Sequence, residues 1–488
     1  MNLKWGKEML LIKNALIIDG TGRPGYHADL RIHDDKIASI GNIQARPQEV
    51  VVDAGGLVLA PGFIDVHTHD DTQVIKQPDM LTKISQGVTT VIVGNCGISA
   101  SPVTLTNTPP DPMNLLGQAD DFNYPSFKSY IDAVLKAQPR VNVGALVGHT
   151  SLRNNVMDCL QRSATDDEIS SMQTQLKQSL ADGAIGLSSG LAYGSAQCAT
   201  IDEVKALVAC LATYNGVYTT HLRTEFDEII SAMHEAFDTA KSGKVPLIIS
   251  HLKCAGANNW GRTTETLKLL EHKAQTQKVA CDCYPYSASS STLDLNQITA
   301  DFDIFITWSD AEPQMAGKLL AEIADVWQVS LLEAGKRLQP AGAVYHGLHE
   351  EDVQRVLKYK RTMIGSDGLP NDPHPHPRLW GAFTRVLGHY SRELNLFSLP
   401  EAIHKMTGLS AQQYQLRGRG EIKIGNQADL VLFDAKKVQA NATFENPIQA
   451  STGIQRVWVN GQLSYQGGTL IGGRFGHFLL NKGENNEY

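Results

Sequence analysis

The sequence predicts an α/β fold: a (β/α)8 TIM-like barrel with a small β-sandwich domain built from both termini and an insertion between strands seven and eight. Three observations predict it. Eight short apolar runs alternate with amphipathic stretches of helical length, the pattern of parallel strands joined by crossover helices. Strand-like sequence with Gly and Asp turns fills both ends of the chain, so the two terminal segments are expected to meet in one β unit. Length alone would allow roughly three units of about 150 residues. The 488 residues suit one large barrel with an appendage equally well, because such barrels run to roughly 250 residues or more.

Taken in order, ALIID, DLRIHDDKIASIG and EVVVDAGGLVLAPG read as short strands within 1–60. Their counterparts within 416–488 are DLVLFD, GIQRVWVNGQLSYQGG and the GGRFGHFLLN tail. The barrel takes 61–415, with strands at 62–68, 88–95, 141–148, 184–189, 216–222, 245–251, 278–284 and 361–366. Helices are predicted over 125–138, 165–182, 201–214, 226–241 and 263–276, and Thr165 with Glu168 forms a capping box for the second. Residues 287–345 are too many for one connection. They read as polar, helical sequence inserted over the barrel mouth, in the place of a lid.

Composition narrows the function classes. Hydrophobic residues make up 42% and charged residues 19%, a globular balance with enough apolar sequence for a large core. The formal charge of −8, without a basic run, argues against a nucleic-acid or anionic-membrane partner and leaves a small molecule as the expected one. Oligomeric state is left open. No apolar run is long enough for a membrane-spanning helix, and the start lacks a signal-peptide cleavage site. Seven cysteines, sparse and odd in number, suggest reduced thiols and a cytoplasmic home, which would leave the sequon at Asn441 idle.

The chemistry lies at the strand ends, where a barrel of this kind places its active site. Strand one runs into His67 and His69, which share one face of the chain. Strand two ends in Asn95 and Cys96, strand three in His149, strand five in His221, strand six in His251 and strand eight in Asp367. Each has a structural alternative: a lone strand-end His is more often a core residue than a ligand, and a lone Cys is by default a small hydrophobe. Convergence of imidazoles, a thiol and a carboxylate at one rim instead matches the ligand preferences of zinc. Cys281 and Cys283 read as packing, and Cys159, Cys198, Cys210 and Cys254 as structural. His374 and His376 are ambiguous, and His346 and His349 belong to the insertion or surface.

The segments APGFIDVHTHDD, VIVGNCGIS, VGHTSLR, IGLSSGLAYGSA, THLRTE, ISHLKCAGANNWG, DCYPY, IGSDGLP, PHPRLWGAFTRVLG, AIHKMTGLSA and GRGEIKIGNQADLVLFD span nearly the whole chain. Together they resemble the metal-dependent amidohydrolase superfamily and, within it, the N-acyl-D-amino-acid deacylases. The HxH motif is specific only to the superfamily; GNCG, HLK and PHPR in that order are specific to the deacylase branch. Many two-metal amidohydrolases carry a carboxylated Lys at the end of strand four, and AIGLSSG has none. In the deacylases a Cys at the end of strand two takes that part, and Cys96 matches it.

The resemblance implies zinc-dependent hydrolysis of N-acyl-D-amino acids. It implies a tight zinc site at Cys96, His221 and His251 and a second, weaker site at His67 and His69. Asp367 would be the general base, against the alternative of a structural turn acid. Arg378, Lys253 and Tyr284 match positions that hold the substrate carboxylate, with Tyr193 as a further contact; a loop salt bridge is the alternative for Arg378. The segment after strand seven contains no Lys or Arg, which favours neutral, apolar D-amino acids. The competing expectations are a deaminase or cyclic amidohydrolase on the same scaffold, and a non-catalytic barrel.

Overall fold

The structure, a computed structural model, describes residues 9–481; the first and last few residues of the 1–60 and 416–488 segments lie outside them. Among the described residues eight parallel strands form the centre. They are β1 (Phe63–Asp65), β2 (Val88–Val93), β3 (Asn142–Ala145, resumed at Val147–Gly148), β4 (Gly186–Gly190), β5 (Val217–His221), β6 (Leu247–Ile249), β7 (Val279–Cys283) and β8 (Thr362–Ile364). Pairing runs in sequence order from β1 to β8, all parallel, with a break inside β3 at Leu146. A parallel bridge between Thr68 and Gly368 then joins the end of β1 to the end of β8, closing the ring. The Asp367 N–H donates to the His67 carbonyl at 2.7 Å across that seam.

Each strand or its edge sends one apolar residue inward: Ile64, Ile92, Leu146, Ile185, Val217, Ile248, Ala280 and Met363 form one buried cluster. Leu409, Ala411 and Tyr414, in and just after the short helix Gly408–Gln413, join the same cluster. Side chains therefore fill the barrel, as the inward alternation of a strand requires, leaving the C-terminal rim for chemistry. The helix Asp166–Ala181 begins at the predicted cap: Thr165 accepts from the Glu168 N–H, and Glu168 accepts from the Thr165 N–H.

The two chain ends share one nine-stranded sheet among the described residues. Val58–Pro61 pairs antiparallel with Leu430–Phe433, which seams the N-terminal strands to the C-terminal ones. The sheet forks at Met9–Ile17, whose first half pairs with Val50–Asp53 and second half with Val58–Pro61. Alternation decides the faces. Leu59, Leu430, Leu432 and Trp458 enter a small separate core, whereas Val58, Ala60, Val431 and Phe433 pack on the barrel core.

Two local expectations differ from the structure. The GGRFGHFLLN tail does not extend the sheet. Residues 476–481 run back along the barrel, where Val143 and Leu479 exchange backbone bonds with the tail and the barrel, and Phe478 packs edge-on against Phe127 and Tyr130. Its apolar residues are thus drawn to a larger apolar surface. The segment 287–345, read as helical, also contains a four-stranded sheet: Ser289–Thr292, Ile304–Ser309, Lys318–Leu319 and Ala341–Tyr345. The helices Leu320–Trp327 and Leu331–Leu338 close its own core. The serines of Ser289–Thr292 hide that strand from an apolar-alternation reading.

Candidate metal centre and substrate cavity

The loop after β2 carries Cys96 in left-handed backbone, with φ of 53°, followed by Gly97 at 78°. A side chain on Gly97 would lie 2.6 Å from the Gly190 nitrogen, and one on Gly190 would lie 2.1 Å from the Cys96 carbonyl. The Cys96 turn therefore rests directly on the end of β4. That contact gives the lysine-free strand four a physical reason: no side chain fits at its last position. His251 and Asp367 also take positive φ, at 36° and 49°. Such conformations cost roughly 1–3 kcal/mol each and concentrate at functional sites.

These turns bring the strand ends together. Donor atoms of His67, His69, Cys96 and Asp367 lie within 4.8 Å of one another, as do those of Cys96, His221 and His251. Cys96 Sγ stands 3.2 Å from His67 Nε2 and 3.4 Å from His251 Nε2. Asp367 Oδ1 is 3.1 Å from His69 Nε2 and 3.4 Å from His67 Nε2. Burial pushes the Cys96 thiol up, but the facing imidazoles of His67 and His251 outweigh it and hold the group well below its ordinary value. Burial likewise pushes Asp367 up, yet Arg378 and His67 hold it well below the carboxylate range. The donor set fits a thiophilic ion: a thiolate ringed by nitrogen donors, with the buried His69 Nδ1 lacking any hydrogen-bond partner.

Three further residues, absent from the sequence-level candidates, fix this geometry. Asp282 on β7 lies 3.3 Å from His67 Nδ1 and accepts from the His251 N–H at 2.9 Å. Glu225, in the loop after β5, lies 3.0 Å from His251 Nδ1 and 2.6 Å from Lys253 Nζ. Lys83, fully buried, donates to Asp65, Thr68 and Ser366 and lies 3.0 Å from Asp70, tying the end of β1 to that of β8. Asp282 was discoverable: Cys281 and Cys283 share one face, so the acid between them points inward, where an uncompensated charge is costly. Glu225 stands in the quoted THLRTE segment. Lys83 carries no sequence signal of its own.

A cavity of about 910 Å³ opens above the cluster. His69, His221, His251, Lys253, Tyr193 and Asp367 line its floor, and the 287–345 segment supplies much of the opposite wall. Tyr193 reaches toward His221 Nδ1, with 3.5 Å between the atoms. Tyr284 and Arg378 are buried beside Lys253 and Asp367, just outside this lining. The Arg378 guanidinium stacks 4.5 Å from the Tyr284 ring centroid and donates to the Ser290 carbonyl at 3.1 Å. Its Nη1 lies 2.8 Å from Asp367 Oδ2 as an ion pair without hydrogen-bond alignment, and Nε is unpartnered, as is the Tyr284 hydroxyl. Burial and the facing Lys253 and Arg378 act in opposite directions on Tyr284, and burial wins, raising its phenol.

The other strand-end imidazole stands apart. His149 turns away to Glu203, at 2.9 Å, and Glu203 also pairs with Arg153. His376 accepts from the Arg378 N–H and faces the Ala288 carbonyl at 3.0 Å, so it supports the Arg378 loop. His374 faces the Phe444 carbonyl, and His346 packs on the Phe444 ring. Cys281 and Cys283 are buried free thiols.

A closed parallel barrel with thiolate, imidazoles and carboxylate at its C-terminal rim defines a metal-dependent hydrolase, and the comparisons agree. A profile described as the amidohydrolase family matches residues 50–465. The chain belongs to that family, and it is a hydrolytic enzyme. Within the family its full-length similarity is to the deacylases. It is 44% identical to the D-aminoacylase of Alcaligenes xylosoxydans xylosoxydans over 96% of this chain and 97% of that protein. It is also 44% identical to an N-acyl-D-aspartate deacylase of the same organism, over 94% and 92%. The solved N-acyl-D-glutamate deacylase of Bordetella bronchiseptica, complexed with zinc and a phosphonate mimic of the tetrahedral intermediate, superposes with a TM-score of 0.94 at 40% identity, covering 97% of this chain and all of that one. No described helix is long and apolar enough to cross a membrane.

Proposed function

We propose that the chain hydrolyses N-acyl-D-amino acids with neutral, apolar side chains, with zinc held tightly by Cys96, His221 and His251. The observation that carries this reading is the Cys96 thiolate ringed by imidazoles, beside Asp367 on a cavity of substrate size. Thiolate and imidazole ligation favours zinc over magnesium or calcium. Zinc bound there would polarise the scissile carbonyl and lower the pKa of the attacking water to about 7. His67 and His69 would line the weaker second site.

Asp367 takes the proton of the attacking water and returns it to the departing amine. Arg378 orients that carboxylate through its ion pair. Lys253, on the cavity floor, receives the substrate carboxylate, with Tyr284 and Arg378 completing the clamp and Tyr193 bounding it beside His221. The 287–345 segment forms the cover that keeps bulk water from the reacting amide.

Charge in the cavity supports the neutral substrate. The relatives include enzymes named for D-Asp and D-Glu substrates, so identity alone does not choose. The Arg223 guanidinium on the cavity wall is held by both carboxylate oxygens of Glu235 and by the carbonyls of Gln197 and Ala199. Lys253 is paired with Glu225. A second substrate carboxylate would find no other Lys or Arg along this lining, and would face Asp111 and Asp294. A screen of N-acetyl and N-formyl D- and L-amino acids with added zinc, read as released amine, tests the reading. Release from D-Leu or D-Met derivatives well above D-Asp and D-Glu is expected. Equal turnover of the L series, or preference for the acidic pair, overturns it.

A further inference from the structure

Glu225 occupies a position between two functions that have no covalent link. One carboxylate oxygen, Oε1, is 2.6 Å from Lys253 Nζ and 3.0 Å from His251 Nδ1, and Lys253 Nζ is itself 2.8 Å from that same Nδ1. The three groups form a closed triangle. Glu225 is buried and its own carbonyl accepts from the Ala255 N–H at 2.8 Å, which anchors it to the strand-six loop.

Donor and acceptor chemistry allows this triangle two arrangements. An ammonium has only donors, so if Lys253 bonds to Nδ1, that nitrogen is the acceptor and the ring proton sits on Nε2, facing Cys96 Sγ. His251 then has no lone pair to offer a metal. If instead Nδ1–H donates to Glu225, Nε2 presents its lone pair toward Cys96 and the ligand set is complete. Lys253 then keeps its bonds to Glu225 and to the His251 carbonyl and turns its remaining N–H donor to the cavity. A carboxylate at position 225 favours the second arrangement, because its charge strengthens the bond accepted from Nδ1–H while it still holds Lys253.

We infer that Glu225 is a positioning residue that sets the His251 tautomer for zinc and, by the same bond, frees Lys253 for the substrate carboxylate. Metal occupancy and carboxylate recognition are thereby coupled through one side chain, and such coupling acts equally in both directions. The inference rests on the proposed zinc-dependent deacylation. It assigns Glu225 no contact with the reacting atoms.

The test compares the purified full chain with Glu225→Gln, which keeps the shape and removes the charge, and Glu225→Asp, which keeps the charge. Zinc affinity is measured by chelator competition without substrate, thermal melting of the metal-free proteins checks the fold, and kcat and KM are measured at saturating zinc. Glu225→Gln is expected to weaken zinc by about 10- to 100-fold, the usual effect of losing an outer-shell partner. Its KM should rise more than its kcat falls, and Glu225→Asp should recover part of both. Lys253→Met should raise KM while zinc affinity does not fall below the wild-type value, since the donor that competes for Nδ1 is gone. Unchanged zinc affinity and KM in a normally melting Glu225→Gln overturn the inference. So does a loss in which Glu225→Asp is no better than Glu225→Gln. If Glu225→Gln does not fold, Glu225→Asp decides alone: weaker zinc binding together with a raised KM in a normally melting protein supports the inference, because the shorter carboxylate loosens both bonds, and wild-type values for both overturn it. A wild-type chain that neither binds zinc nor releases amine would fail the functional reading itself, a result distinct from these.

Discussion

Imidazoles at three strand ends of the barrel, those of β3, β5 and β6, stand in opposite circumstances. At the end of β3, His149 faces Glu203, which is also paired with Arg153, while Arg153 donates to the Ser195, Leu160 and Arg162 carbonyls. That cluster has a carboxylate to balance its guanidinium and backbone to absorb the rest. At the ends of β5 and β6, His221 and His251 face a buried thiolate, and the carboxylates nearby are shared with Lys253 and Arg378. The residue type is the same; the partners decide. A charge-matched imidazole stabilises the fold, whereas imidazoles converging on sulfur form a ligand set.

Replacing Cys96 breaks the comparison most sharply. Cys96→Ala removes the one sulfur shared by both groups of donors. The expected result is loss of bound zinc by metal analysis and deacylase activity at background. A variant that retains zinc and turns over normally would reduce the rim cluster to the status of the β3 cluster. Asp367→Asn has the next effect. It keeps the three proposed tight ligands and removes the base, so kcat should fall by about 10²- to 10⁴-fold while zinc content is retained. Loss of zinc equal to that in Cys96→Ala would instead make Asp367 a principal ligand.

How much of this could be read from sequence follows from what each feature depends on. The strands were legible because their apolar runs are local and each sends a residue to the barrel interior. His67, His69, Cys96, His221, His251 and Asp367 were legible because a parallel barrel brings its strand ends together regardless of sequence separation. The ion pair of Arg378 with Asp367 and the bond of Glu225 to His251 were not. Those depend on loop paths, including the left-handed turns at Cys96, His251 and Asp367, that neither periodicity nor residue type encodes. The tail and the inserted sheet were missed for a related reason, since their pairing partners lie far away in the chain.

The smallest expected effect on catalysis comes from the β3 cluster, and it is the control the comparison needs. Burial alone would raise Glu203, but His149 and Arg153 outweigh it and hold the group at about 2. A carboxylate lowered on folding stabilises the protein above its ordinary value near 4.5, and that stabilisation disappears as pH falls through about 2. Burial lowers His149, so its protonation opposes folding as pH falls below its ordinary 6.5. His149→Gln removes the second contribution and weakens the first. It should cost about 1–3 kcal/mol at neutral pH, by urea unfolding, because the Glu203 acceptor loses its imidazole partner. The decline of its stability on acidification below pH 6.5 should be shallower than in wild type. Zinc affinity and kcat should stay at wild-type values. If His149→Gln instead loses zinc, the β3 cluster and the β5 and β6 ends are not independent, and the distinction between charge-matched and metal-collecting imidazoles fails for this barrel.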